Sequence, residues 1–509
     1  MRLNILIGGK AGQGINKISE IVTNVLVSCG YFTFNYRDYP SLIRGGHNFN
    51  VLSISDEQIE SHNKVIDILV ALDERTITTH KQETKKETII IRPSEEFKLL
   101  GRNLNIALAG VLTKILGISF SIIEEEIKKQ FKDSEEALEA AKKGYEKESA
   151  KFNLKKLNNK LSILSGSEAI AIGAKNSNLD LYIAYPMTPS TNAMHEMAKD
   201  QLKHNLLVFQ GENEISVVNM ALGASFAGAK TMIGTSGGGF DLMSEALSLQ
   251  GMSEIPLTVY LAARPGPATG VPTYTSQADL NIALRAGHGE FPRIVIAPGN
   301  AVEQMEKVQE ALFLSEKFKS LSIILSDKHL AESEFSSALK PKNPQKIIIN
   351  RKIPGKNIIK ASSYESDSEG NTTELASLTK QNMEKRIKKY ENIKNFVNNN
   401  LEMIKIHGKQ DSKNLIIGWG STSGAIKDAI KGIDAKFLQI IYMKPLSDEI
   451  KSYMTKAKKI ILVECNSTGQ LGRLIREKTG IKITNRILKY DGRPFYPEEL
   501  KKQIEEMIK

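Results

Sequence analysis

Four short runs in the middle of the chain bring together hydroxyls, bare backbone, one carboxylate and one arginine. They are Tyr185-Pro186-Met187-Thr188-Pro189-Ser190-Thr191, Glu214, Thr235-Ser236-Gly237-Gly238-Gly239, and Arg264-Pro265-Gly266-Pro267-Ala268-Thr269-Gly270. A guanidinium fork matches a carboxylate in shape, and a threonine hydroxyl adds a directed donor. A carboxyl at the start of an otherwise apolar helix can handle one proton. Each run taken singly is an ordinary loop. All of them fall at the ends of strand-like segments, and together they describe a site that orients a small anionic substrate and moves a proton.

Nearer the N-terminus, Gly9-Lys10-Ala11-Gly12-Gln13-Gly14 fits neither familiar phosphate motif. Ile15-Asn16 follow where a Walker loop needs lysine and then serine or threonine, and Ala11 stands where a dinucleotide fingerprint wants glycine. What remains is a glycine turn feeding a helix. Gly12 and Gly14 either offer free N–H groups to a phosphate or form a purely structural turn. Arg44-Gly45-Gly46 leaves the same two readings open: close approach to a ligand or another chain, or a turn with an exposed arginine.

These residues need a scaffold, and hydrophobic periodicity supplies one. Apolar runs bounded by glycines alternate with 3.6-period segments, which predicts an α/β protein of doubly wound parallel sheets. Residues 1–150 form a first block, opening strand, glycine turn, helix, and ending in a polar linker from Lys151 to Leu164. Residues 165–330 form a second, with strands at LYIAY, LLVFQ, TMIGTS, LTVYLAAR, RIVIAP and SIILS. Ligands of such a domain belong beyond the carboxyl ends of its strands. Residues 331–410 are an irregular connection containing one charged helix, and 411–509 a smaller α/β domain.

At 509 residues the chain is long enough for several cores, and its 41% apolar and 25% charged residues are those of a globular protein. No apolar stretch reaches the roughly 20 residues that span a bilayer, and no signal peptide precedes Lys10, so the expectation is a cytoplasmic protein without membrane contact. The net charge of +11 sits on helices rich in glutamate without interleaved aromatics, which argues against nucleic acid and for an acidic protein partner at most. Two cysteines, Cys29 and Cys465, are too few for an iron–sulfur cluster, and no zinc spacing exists, so no metal is assigned to this chain.

The ordered motifs resemble one family along nearly the whole chain. YPMTPST is similar to the YPITPST signature of 2-oxoacid:ferredoxin oxidoreductases, and Arg264 to Gly270 to their arginine-glycine-proline loop. ENEISVVNMALGASFAGA, GTSGGGFDLMSEAL and HGEFPRIVIAPG match in order and spacing. GKAGQGI and YPSLIRGGHN resemble the gamma domain, and LIIGWGSTSGAI, VECNSTGQLGRLIR and KYDGRPFYPEEL the C-terminal domain of an alpha subunit with gamma fused at its N-terminus. Departures are Met187 for isoleucine, Lys10-Ala11 in the glycine turn, and Glu365-Ser366-Asp367 where members often read Glu-His-Asp; no histidine role carries over there.

The resemblance implies a gamma-like domain, a thiamine diphosphate pyrimidine-binding-like domain and a transketolase C-terminal-like domain. It implies oxidative decarboxylation of a 2-oxoacid with coenzyme A and ferredoxin, Glu214 activating the cofactor, and Thr188, Arg264 and Tyr185 binding substrate. Gly12, Gly14 and Arg44 become contacts for coenzyme A. With no GDG motif here, thiamine diphosphate, its Mg2+ and the iron–sulfur cluster are expected mainly on a beta subunit. Two alternatives stand: a non-catalytic paralogue or scaffold, disfavoured by Thr188, Glu214 and Arg264 occurring together, and half of a thiamine-dependent carboligase, disfavoured by the gamma domain.

Overall fold

The computed structural model describes residues 1–40, 46–132, 134–338, 340–342 and 345–509. They form two compact units, Met1–Leu164 with Ser333–Leu339 and Tyr496–Glu498, and Ser165–Glu332 with Lys340–Phe495 and Glu499–Lys509.

The first unit carries a seven-stranded sheet in the order Thr84–Ile91, Ile66–Ala71, Arg2–Gly9, Asn48–Ser55, Phe32–Asp38, Glu334–Ser337, Ser162–Ser165. Arg2–Gly9, Ile66–Ala71 and Thr84–Ile91 pair in parallel; Asn48–Ser55 runs antiparallel to both of its neighbours. This sheet is therefore mixed, though the α/β class predicted from the sequence stands. The reason is chain length: residues 39–47 are fewer than the dozen or so that a crossover between parallel strands needs. Helix Ile15–Ser28 lays Ile18, Ile21, Val22 and Val25 into the same core as Ile5, Ile7, Leu52 and Val70.

In the second unit, Leu181–Ala184, Leu207–Gln210, Thr231–Thr235, Leu257–Ala263, Leu321–Asp327 and Arg293–Ile296 are all parallel, with Tyr442–Lys444 antiparallel at one edge. The inner strands are buried on both faces, while Leu207–Gln210 at the edge is largely exposed. Along Leu257–Ala263, Val259 and Leu261 enter one core while Tyr260 and Ala262 enter the other. Six parallel strands put six carboxyl ends along one border, and the site is built there.

A third sheet, Ile404–Gly408, Lys436–Ile440, Asn414–Trp419, Lys459–Glu464, Asn485–Leu488, shares its core with the second through Trp419, Leu438 and Leu471. It begins inside the segment that sequence pattern leaves irregular, because Lys405 and His407 interrupt the apolar residues of its first strand. The charged helix Ala376–Asn400 buries only a thin stripe, including Ile393 and Val397. Among the described residues, no helix is long and apolar enough to cross a membrane.

Candidate active site

Glu214 is the first residue of helix Glu214–Phe226, directly beyond the strand Leu207–Gln210. The helix is already capped: Asn213 Oδ1 accepts from Ser216 N at 2.9 Å, and Asn213 N donates to Ser216 Oγ at 3.1 Å. The Glu214 carboxylate is thus not needed as a cap. It is 3% exposed, and its Oε1 has no hydrogen-bond partner among the described residues. A buried carboxylate oxygen left without a donor is costly, so the position suits a proton-bearing ligand atom. Exposed Glu212, by contrast, bonds to the side chain of Asn213.

Gly239 explains how the carboxylate fits. It lies in the short helix Gly237–Leu242, and a Cβ there would fall 2.5 Å from Glu214 Oε1 and overlap Thr235 Oγ1. Bare backbone is what lets the SGGG turn close over Glu214.

Arg264 follows strand Leu257–Ala263 and extends Nη1 to the backbone carbonyl of Thr188 at 2.9 Å. The two residues predicted to receive a carboxylate are therefore neighbours. Burial lowers the Arg264 pKa from its usual value, while Asp279 and Glu214 act to raise it. The loop folds back on itself at Gly270, whose φ of +52° and packing on the Pro265 carbonyl admit no side chain. Tyr185 lies at the same border, 38% exposed.

Asp279, which the sequence reading passed over, sits in this cluster. Its carboxylate lies against Gly237, two residues from the glycine that holds Glu214, and Oδ2 is buried without a partner. The only signal was an aspartate just before helix Leu280–Arg285, which reads as a routine cap, yet the side chain makes no capping bond. The third sheet fastens the segment. Gln277 N donates to Cys465 O at 2.8 Å, Gln277 Nε2 to Trp419 O at 2.7 Å, and Gln470 Nε2 to Ala278 O at 2.6 Å.

In the first unit, Gly12 and Gly14 occupy one turn with φ of +88° and +78°, and Gly14 opens helix Ile15–Ser28. Gln13 Oε1 takes the Lys10 N–H at 2.6 Å, and the Asn105 side chain packs on Gly14. Arg44 lies outside the described residues. Cys29 and Cys465 are buried, with burial pushing both thiols up. No group of three or more His, Cys, Asp or Glu among the described residues is arranged to hold a metal.

Hydroxyl, arginine and unpartnered carboxylates at one parallel-strand border define a small-anion site on an α/β scaffold. Family profiles agree with that class: "Pyruvate flavodoxin/ferredoxin oxidoreductase, thiamine diP-bdg" matches residues 172–401, and "Pyruvate ferredoxin/flavodoxin oxidoreductase" residues 4–99. A 2-oxoacid:ferredoxin oxidoreductase subunit alpha from Sulfolobus sp is 30% identical over 616 residues, covering 100% of this chain and 97% of its own. Subunit alpha of 2-oxoacid:ferredoxin oxidoreductase 1 from Sulfurisphaera tokodaii is likewise 30% identical, with 100% and 98% covered. A solved 2-oxoglutarate:ferredoxin oxidoreductase from Magnetococcus marinus, with 2-oxoglutarate, coenzyme A and succinyl-CoA bound, superposes with a TM-score of 0.90 at 26% identity, covering 100% of both chains. The chain belongs to the 2-oxoacid:ferredoxin oxidoreductase family, as an alpha subunit with a gamma-like N-terminal domain.

Proposed function

We propose that this chain is the alpha subunit of a complex that converts a 2-oxoacid, coenzyme A and oxidised ferredoxin to acyl-CoA, carbon dioxide and reduced ferredoxin. The observation that carries the reading is the buried, unpartnered Glu214 Oε1 at the strand border shared with Arg264 and Thr188. That orphaned oxygen fits the aminopyrimidine of thiamine diphosphate, whose ring nitrogen N1′ shares a proton with a carboxyl. Bound thiamine diphosphate supplies nucleophilic attack on the substrate carbonyl and a sink for the electron pair released with carbon dioxide.

The residues of this chain do the rest of the positioning. Glu214 holds the proton at N1′. Arg264, with Thr188 and Tyr185 beside it, takes the substrate carboxylate. Gly12, Gly14 and Arg44 are assigned to coenzyme A, which a relative is described as binding.

A beta subunit completes the site. Helix Glu214–Phe226 is apolar on both sides: Val217, Val218 and Ala221 are buried, while Ile215 and Met220 are 51% and 44% exposed. A helix with large apolar residues exposed as well as buried expects a protein cover. The diphosphate with its magnesium and the iron–sulfur cluster belong to that partner, since this chain has no GDG motif and two isolated cysteines.

The test is hydrogen–deuterium exchange at the thiazolium C2 in the assembled complex. Glu214→Gln keeps cofactor content and slows exchange by roughly 10²- to 10⁴-fold, the range for an acid–base group. Glu212→Gln exchanges at nearly the wild-type rate. Wild-type exchange in Glu214→Gln contradicts the assignment.

A further inference from the structure

The SGGG turn holds two carboxylates, and the function above uses one. Glu214 lies against Gly239 and Asp279 against Gly237, each with a buried oxygen that no described group satisfies. The Asp279 side chain makes no cap on its own helix. The backbone on either side of it is held in place: Cys465 N donates to Gln277 Oε1 at 2.8 Å, and Asn281 N to Gln470 Oε1 at 2.9 Å. Two charged groups face it, Asp241 on helix Gly237–Leu242 and Arg264 from the neighbouring loop, with Glu214 acting on the same guanidinium.

We infer that Asp279 is a proton-holding positioning residue, which takes up one proton as the carboxylate of the 2-oxoacid docks on Arg264 and returns it when that carboxylate is lost as neutral carbon dioxide, its bonding electron pair left on the remaining fragment. This rests on the reading of Arg264 as the carboxylate receiver. An arriving carboxylate adds a second anion near the guanidinium that Asp279 already acts on, and two anions close together disfavour both being ionised. Protonating Asp279 removes the conflict without moving the fixed backbone. Burial, with Asp241 adding to it and Arg264 opposing, already pushes the Asp279 carboxyl up to about 6, so the proton is available near neutral pH. The balance is simple: solvent supplies one proton on docking and receives it back after decarboxylation.

Linkage sets the sign. If binding takes up a proton, substrate affinity falls as pH rises above the Asp279 pKa, approaching tenfold per pH unit until the bound-state pKa is reached. The experiment is KM for pyruvate or 2-oxoglutarate, whichever the assembled complex turns over, between about pH 5.5 and 8. Neither substrate carboxyl titrates there. The wild-type complex should show KM rising above pH 6, and Asp279→Asn should show a KM that is flat and near the wild-type low-pH value. Asp241→Asn, which removes a repelling charge, should move the rise to lower pH. A flat wild-type KM overturns the proposal whatever the variants do. A rise that persists in Asp279→Asn also overturns it; if Arg264→Lys still raises KM in that case, the carboxylate site survives and only Asp279 loses its role. If Arg264→Lys leaves KM unchanged, both readings fall.

Discussion

Arg264 reaches back over the strand border to place Nη1 2.9 Å from the backbone carbonyl of Thr188, so the guanidinium proposed to meet the substrate also spaces the YPMTPST loop. Arg264→Lys keeps the charge but loses the planar fork and one of its two tasks. In the assembled complex kcat/KM for the preferred 2-oxoacid is expected to fall by roughly 2 to 4 kcal/mol, the cost of a desolvated charge pair left unmade. Circular dichroism should be unchanged. Unaltered kinetics would remove Arg264 from the site.

Gly239 and Gly238 are adjacent yet differ in what a methyl group would meet. At Gly239 it would collide with Glu214 and Thr235, and at Gly238 it would enter open space. Gly239→Ala is therefore expected to push Glu214 aside and depress kcat by roughly the 10²-fold or more of a displaced acid–base group. Gly238→Ala should stay near wild type. Equal activity of the two variants would mean that Glu214 tolerates displacement.

Placement of the site residues was largely legible in the sequence. The inner strands of the second sheet are buried on both faces, so LTVYLAAR and RIVIAP stand out as apolar runs, and glycine- and proline-rich motifs at their ends mark where backbone must come close. What stayed hidden depends on contacts far apart in the chain. The segment before Asp279 is set in place by Trp419, Cys465 and Gln470, and nothing local in SQADL announces a carboxylate that makes no cap. Glu334–Ser337 pairs with Phe32–Asp38 across some three hundred residues, a pairing no local pattern carries. The first strand of the third sheet was masked by its alternating Lys405 and His407.

Lys405 has a structural reason to be there. It pairs with Glu303 at 2.7 Å, and Glu303 also accepts from Gln439 Nε2 and Gly299 N, both at 2.7 Å, tying the third sheet to helix Ala301–Phe318. Burial alone would raise the Glu303 pKa, but Lys405 and Lys427 hold it down to about 2. A folded pKa below the unfolded value of about 4.5 stabilises the protein above pH 4.5, and the contribution is lost as pH falls toward 2. Glu303→Gln should lower Tm at pH 7, with the difference from wild type shrinking steadily below about pH 4.5. A difference independent of pH would show that the ion pair does not govern acid stability.

The most direct test of the whole account is co-expression of this chain with its beta subunit, followed by dye reduction over a panel of 2-oxoacids. The account predicts that reduction requires both chains, a 2-oxoacid and coenzyme A, that acyl-CoA and carbon dioxide form in equal amounts, and that Glu214→Gln slows turnover by roughly 10²-fold or more while the separate chain is colourless and inactive. Turnover by this chain alone, or carbon–carbon ligation by the complex with no electrons delivered to the dye, would contradict it.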